Sequence, residues 1–295
     1  MLTQEFRQKV RKAVLKNKDN FPSISDKVYA KTIGLSASIY SQLKSGKTER
    51  LVADTFWIEQ GRKLNVSIYE RTWNVARTSV YTEIENNILF CKKYKKATIL
   101  IDECGIGKTF CTKRVIKDLP NAYYVDCSQA KTKSRFIRLL AKTIMGDDTG
   151  KLGDLKDNLK YFINQLENPF IALDDAGYLA TNTLVEIIEI WNATEKHCGW
   201  MIIGDDSLQS KMERGLRSKK IGFKALFSRF SDEFIHYVPT GLADKREFYR
   251  ELVGDVASVN IKDATKVNKF IKLCIGKEKT LRHLETLIEL DKANE

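Results

Sequence analysis

Residues 97–109 read Ala-Thr-Ile-Leu-Ile-Asp-Glu-Cys-Gly-Ile-Gly-Lys-Thr, an apolar run that turns abruptly into glycines, a lysine and a hydroxyl. The apolar half, ATILID over 97–102, has the length and composition of a buried strand. The polar half fits the phosphate-loop pattern G-x-x-x-x-G-K-[ST] at Gly107, Lys108 and Thr109. Gly105 adds a further glycine, and Asp102 stands where the first glycine is usual. Gly105 and Gly107 allow backbone N–H groups to turn inward around an anion. A helix is expected from Phe110 to Asp118, with its positive end aimed at the same place. The candidate phosphate-binding residues are therefore Cys104, Gly105, Ile106, Gly107, Lys108, Thr109 and Phe110. Lys108 would bridge β- and γ-phosphates, and Thr109 would place its hydroxyl on Mg²⁺. Asp102 would repel a phosphate if it pointed inward, so it is expected to face away and to serve as a cap.

Four more short apolar runs follow: AYYVDC (122–127), FIALD (170–174), WMIIG (200–204) and EFIHYV (233–238). Helical patterns separate them. Strands alternating with crossover helices predict an α/β fold: a five-stranded parallel sheet with helices on both faces. The third run ends in Asp174-Asp175, the acidic strand end that a phosphate loop needs as its second half. Asp174 would hold Mg²⁺ through water, and Asp175 would orient the attacking water. After Pro239 only helical patterns remain. The expected organisation is an N-terminal all-helical domain over 1–66, a nucleotide-binding core over 67–240 and a helical lid over 241–295. The core opens on a connector with an amphipathic helix from Val80 to Phe90.

The chain has 295 residues and a mass of 33.8 kDa, with 43% apolar and 30% charged residues. That is enough for a real core. Nothing approaches the ~20 apolar residues of a membrane span, and the polar, basic start gives no signal segment. A cytoplasmic protein is expected, nucleoid-associated in a bacterium or phage-encoded. The six cysteines form no CxxC pair and the three histidines are scattered, so no zinc site is expected. Fifty Lys/Arg face 38 Asp/Glu, a net charge of +12 with a pI near 9.3. Such an excess points to a polyanion, nucleic acid before membrane.

More than half of that excess lies in residues 1–66, where 13 Lys/Arg face six Asp/Glu. There Asp26–Gly46 predicts one helix, a turn at Gly34, and a second helix capped by Ser36. Ile39 and Leu43 would face inward, and Ser38, Tyr40, Ser41 and Lys44 outward as candidate DNA contacts. The pattern resembles the repressor-like (Cro-type) helix-turn-helix, through Ala30, Gly34, Leu35 and Ser36. A plain helical hairpin is the alternative. Two further basic clusters are Lys131, Lys133, Arg135 and Arg138, just past the second strand, and Lys211, Arg214, Arg217, Lys219, Lys220 and Lys224. In neither does an aromatic interleaving suggest base stacking, so both read as phosphate contacts without sequence information.

The loop at 102–109 with LDDAGYL at 173–179 resembles the AAA+ ATPases. With an N-terminal helix-turn-helix ahead, the chain is most similar to the Mu-type (MuB-like) transposition ATPases, related to Tn7-type regulators and IstB-like proteins. The resemblance implies ATP and Mg²⁺ as cofactors and places Asp205 as sensor 1. It makes Arg229 an arginine finger reaching a neighbouring subunit, with Arg217 as fallback, and Arg282 the sensor 2 arginine of the lid. Asp175 stands where these proteins carry Glu, one methylene longer, which implies slow hydrolysis. The implied function is ATP-dependent, sequence-nonspecific binding and oligomerisation on duplex DNA, with delivery of that target to a DDE-type transposase. A helicase loader of the DnaC or IstB type and an ATP-gated helix-turn-helix transcription regulator are the alternatives.

Overall fold

A computed structural model describes residues 2–18, 25–64, 66, 73–276 and 280–293. The first stretch of the expected connector, 67–72, lies outside the described residues. The chain divides into two compact units, 1–73 and 74–295.

The first unit holds α1 (Gln4–Asn17), α2 (Asp26–Thr32), α3 (Ala37–Lys44) and α4 (Asp54–Lys63). Between α2 and α3, Gly34 takes a left-handed φ of +77°, and Ser36 caps α3 by accepting the Ile39 N–H at 3.2 Å. The core is Val10, Val14, Tyr29, Ala30, Leu35, Tyr40, Leu43 and Trp57. Tyr40 thus differs from its expected outward position. It pairs with Leu43 three residues on, and its ring packs edge-to-face on Tyr29 with centroids 5.7 Å apart. A ring of that size does more when covered than when exposed, and Ile39 is left half-buried. Ser38, Ser41 and Lys44 are exposed, and Lys44 pairs with Asp26 at 2.7 Å.

The second unit begins with α5 (Ser79–Tyr94), longer than the expected 80–90. Next come β1 (Ala97–Ile101), α6 (Lys108–Lys117), β2 (Ala122–Asp126), α7 (Lys133–Met145) and α8 (Leu152–Gln165). β3 (Phe170–Asp174), α9 (Thr181–Ala193), β4 (Gly199–Gly204), α10 (Asp206–Arg217), α11 (Phe223–Arg229) and β5 (Phe234–Ile235) complete the sheet region. The sheet is five-stranded and parallel, in the order β2-β3-β4-β1-β5. The three inner strands are buried at every residue, as continuous apolar runs require. One face packs on Phe136, Ile137, Leu140, Leu159, Ile187 and Phe223; the other packs on Ile84, Ile88, Val115 and Leu252. Helices α12 (Leu242–Asn260), α13 (Ala264–Gly276) and α14 (Leu281–Ala293) form the C-terminal region.

The fifth strand is shorter than the expected 233–238. Only Phe234 and Ile235 pair with β1. Two residues later the N–H groups of Tyr237 and Val238 go to the Asp102 carboxylate. A side chain outside the run has taken the donors that a longer ladder would need.

Candidate nucleotide site

The turn after β1 owes its path to two glycines. Gly105 has φ +86° and Gly107 φ +102°, both in the region that side chains resist. Gly107 is the N-cap of α6 and gives it no side-chain cap. The first turn of α6 therefore presents backbone N–H groups and the positive end of its dipole. Lys108 Nζ lies within the loop, donating to the carbonyls of Asp102 at 2.5 Å and Glu103 at 2.8 Å. Burial pulls this ammonium below the ordinary lysine range, against the pull of Cys104, Asp102, Asp174 and Asp205.

Asp102 faces away from the loop interior. It is buried, and Oδ1 accepts the Glu103 N–H at 2.9 Å. Oδ2 accepts from Tyr237 N at 2.6 Å and Val238 N at 3.1 Å. The charge that would repel phosphate is thus spent on three backbone donors.

β3 runs alongside β2 with Asp174 opposite Asp126. Asp174 is 1% exposed, and its Oδ2 accepts the Thr109 hydroxyl at 2.7 Å and the Tyr124 phenol at 2.8 Å. Its Oδ1 accepts the Asp175 N–H at 2.9 Å. Burial and the Asp174 charge push the Tyr124 phenol far up, so it remains a donor. Asp175 has φ +53° and projects from the strand end. Burial, then the charges of Asp174, Asp126 and Asp205, raise its carboxyl above the ordinary aspartate range, while Lys108 opposes them. The turn after Asp175 is fixed on two sides. The Lys131 carbonyl accepts from Ala180 N at 2.9 Å and from Thr183 Oγ1 at 3.1 Å. Lys211 Nζ donates to the carbonyls of Gly177 and Leu179.

Asp205 caps α10, accepting from Ser207 N at 3.0 Å and Ser207 Oγ at 2.5 Å, and the Cys104 thiol lies 3.7 Å from its Oδ2. Burial would raise this carboxyl, but the bonds from Ser207 and Cys104 outweigh it and hold it low. The end of β4 and the loop after β1 therefore meet through Cys104. Arg282 is exposed, next in sequence to the point where α14 touches the loop. There Leu281 N donates to the Gly105 carbonyl at 3.2 Å, and a Cβ on Gly105 would stand 2.4 Å from Thr280 Oγ1.

Other expected residues lie elsewhere. Arg229 donates to Asn192 at 2.7 Å and to the Ala225 carbonyl at 2.9 Å, with its guanidinium 5.4 Å from the Trp191 ring centre. None of these partners belongs to the Lys108–Asp174 cluster. Lys131, Lys133 and Arg135 are exposed, with Lys133 paired to Glu186 at 2.6 Å. Arg138 is drawn off by the carbonyls of Asp148 and Gly150, and Lys211 by those of Gly177 and Leu179. Both are spent on holding turns rather than left for a partner. Arg214, Arg217, Lys219, Lys220 and Lys224 stay exposed.

Sequence reasoning missed Glu103, within the loop itself, and Tyr124, Lys245, Tyr249 and Thr280, which crossovers and the C-terminal region bring to it. The strand left one signal, two tyrosine hydroxyls (Tyr123 and Tyr124) in an otherwise apolar run ending in acid, which does not say which of them meets Asp174.

The residues fit a nucleoside triphosphate with Mg²⁺. Two left-handed glycines, an uncapped helix start, a lysine held inside the loop and a hydroxyl on a buried carboxylate are the donors that such a ligand takes. Mg²⁺ is held by one or two carboxylates plus substrate phosphates, so a single Asp174 beside Thr109 suffices. Among the described residues no group of three or more His, Cys, Asp or Glu could form a cage for a metal on its own.

Residues 91–212 match the family model described as AAA domain. No curated protein matches the sequence. Among solved structures, the Aeropyrum pernix ORC1 protein in complex with DNA aligns with a TM-score of 0.53 at 15% identity, over 75% of this chain and 62% of that one. The Aeropyrum pernix ORC2 protein (ADPNP–ADP complexes) aligns with a TM-score of 0.48 at 14% identity, over 69% and 59%. Cdc6p from Pyrobaculum aerophilum aligns at 0.47 and 15%, over 64% and 52%. This chain thus spans less than two thirds of each of those proteins. A parallel sheet in this order, its phosphate loop after β1 and the family match over 91–212 lead to one conclusion: the chain carries an AAA domain of the AAA+ P-loop fold.

Proposed function

We propose that this protein is an ATP-dependent, largely sequence-nonspecific DNA-binding ATPase that oligomerises on duplex DNA and delivers that target to a DDE-type transposase. The observation that carries the ATPase reading is the 2.7 Å bond between the Thr109 hydroxyl and the buried Asp174 carboxylate, beside Lys108 at the start of α6. Bound ATP with Mg²⁺ would supply the scissile phosphoanhydride, held by residues 104–110 with Thr109 and Asp174 toward the metal. Lys108 would leave the carbonyls of Asp102 and Glu103 for phosphate oxygens. Asp175, raised by burial, would orient a water and take its proton at the carboxylate. Asp174 keeps its place through Thr109 and Tyr124. Arg229 would act on a neighbouring subunit's site, and Arg282 would approach phosphate from α14.

The DNA reading rests on charge. Lys131, Lys133 and Arg135 are exposed on one segment, Arg214, Arg217, Lys219, Lys220 and Lys224 on another, and Ser38, Ser41 and Lys44 on α3. The net charge of +12 supports a polyanion. The Aeropyrum pernix ORC1 protein, of like fold, was solved in complex with DNA, which supports the same partner class. The transposase partner and the Mu-type branch follow from the resemblance in domain order, size and charge.

The test is binding to random-sequence duplex with ATP, with ADP and with neither, beside Lys108→Ala. Tight, salt-sensitive binding with ATP alone, lost in the variant, is expected. Changing Lys131 and Lys133 to Ala should then flatten the salt dependence by up to ~0.9 log units per lost phosphate contact. Equal binding in all three states would overturn the nucleotide gate, and single-strand preference would favour a helicase loader.

A further inference from the structure

The loop after β1 is bonded to the chain after β5 and to α12 by two residues that the phosphate-loop pattern does not ask for. The first is Asp102. A glycine there could offer no acceptor to the chain leaving β5, yet Asp102 Oδ2 takes the N–H groups of Tyr237 and Val238 just before Pro239 and α12. The second is Glu103. One of its oxygens accepts Lys245 Nζ, and the other accepts the Tyr249 phenol at 2.6 Å. Lys245 and Tyr249 are four apart on α12 and so share one helix face. Two bonds from a single carboxylate to successive turns fix both the position and the rotation of that helix start.

The backbone carbonyls of these same two residues hold Lys108 Nζ. Asp102 and Glu103 therefore carry the lysine on their main chain, while their side chains hold the chain leaving β5 (Asp102) and α12 (Glu103). A phosphate oxygen, charged where a carbonyl is neutral, competes for Lys108 and removes two bonds from this short segment. The side-chain bonds to α12 do not depend on the lysine, so a shift of the segment is passed to residues 237–249. On this basis we propose that Asp102 and Glu103 are positioning residues that couple occupation of the phosphate loop to the start of α12, Glu103 acting through Lys245 and Tyr249. The proposal rests on the reading of this loop as a nucleotide site. It explains why the chain bears acids at 102 and 103, where charge is a handicap for phosphate binding.

The full chain is mixed with a fluorescent ATP analogue and Mg²⁺. Two quantities are read: the dissociation rate, and amide hydrogen exchange over 242–250 with and without the analogue. In the unaltered protein the analogue should change exchange there. Glu103→Gln and Tyr249→Phe should each release the analogue faster, roughly tenfold for the charged acceptor and less for the phenol. Each should also erase the ligand-dependent change in exchange. Glu103→Gln with Lys245→Gln should cost no more than Glu103→Gln alone, because both break one link. A merely structural role would raise exchange equally with and without ligand and leave its difference intact; that result overturns the coupling. Lys108→Ala separates the two levels. If the unaltered protein binds no analogue, or Lys108→Ala binds it equally well, the nucleotide reading itself fails and takes the coupling with it. If binding depends on Lys108 while Glu103→Gln keeps both the normal rate and the normal exchange difference, only the coupling fails.

Discussion

Two turns at the same carboxyl end of the sheet do their work with opposite materials. After β1 the chain turns through Gly105 and Gly107, where absence of a side chain permits the backbone path. After β3 it turns through Asp174 and Asp175, where the side chains are the purpose and Asp175 takes φ +53° as a short polar residue can. Their attachments differ as well. The first turn is fastened to the C-terminal region through Asp102, Glu103 and Gly105. The second is fastened to the basic segment before α7 through Lys131, and to α10 through Lys211. The turn suited to phosphate therefore answers to the helices that follow the sheet. The turn suited to water answers to a segment that bears three exposed cations, Lys131, Lys133 and Arg135. On the proposed function, binding and hydrolysis would be open to separate control, because the two turns, joined by the Thr109–Asp174 bond, are otherwise fastened to different parts of the molecule.

The sharpest way to break that division is at Asp175. Asp175→Asn keeps the shape and removes the base, so hydrolysis should fall by ~10²–10⁴ while ATP affinity changes by less than about threefold. The pH dependence carries the same signature. Burial and neighbouring carboxylates hold Asp175 above the ordinary aspartate range. Its active, ionised form is therefore lost as pH falls through that raised value, at a higher pH than a solvated aspartate would show. The sign for stability is the reverse: ionising Asp175 costs folding energy as pH rises through the same value, so Asp175→Asn should not lower neutral-pH stability. Phosphate release and thermal melts across pH 4–8 check both. Equal loss of binding and turnover would show that the two turns are not separate.

The glycine turn was legible in the sequence because everything that makes it is local: an apolar strand, two glycines three and five residues past its end, a lysine and a hydroxyl. Asp174 was legible for the same reason, as the polar end of an apolar strand. What stayed hidden is what the crossovers bring. Tyr124 lies 50 residues from Asp174 and Lys245 lies 142 from Glu103, and nothing in their neighbours marks them. The fifth strand is shorter than its apolar run because Asp102, 135 residues away from Tyr237, takes its donors. The burial of Tyr40 is hidden because Ile39 and Leu43 already satisfy the helix period, while its partner Tyr29 sits on another helix.

A smaller effect is expected where the first turn meets α14. Gly105→Ala puts a side chain on a residue with φ +86°, about 1–2 kcal/mol on backbone grounds. It also places a Cβ 2.4 Å from Thr280 Oγ1, so the start of α14 must shift. Gly146→Ala is the matched control, with φ +80° and open space around its Cβ. Both variants should melt a few degrees lower. Only Gly105→Ala should weaken binding of an ATP analogue, by about tenfold, because only there does the strained residue belong to the loop. Similar binding by the two variants would detach the contact with α14 from the site.

The smallest effect, and the finest probe of the second turn, is expected from Thr183→Val. Thr183 is fully buried, and its hydroxyl donates to the Lys131 carbonyl at 3.1 Å. Valine keeps the shape, and the carbonyl keeps its bond from Ala180 N, so no acceptor is orphaned. The loss should be about 1 kcal/mol, or roughly 2–4 °C in melting temperature. If the exposed cations at the start of α7 and just before it meet DNA, this hydroxyl is one of two bonds through which that contact reaches the chain beyond Asp175. Hydrolysis without DNA should then stay within about twofold of normal, since Asp174, Thr109 and Lys108 are untouched. Stimulation by DNA should drop, because one of the two ties to Lys131 is gone. A variant that melts lower but is stimulated normally would leave Lys131 a structural anchor, with DNA acting on Asp175 by another route.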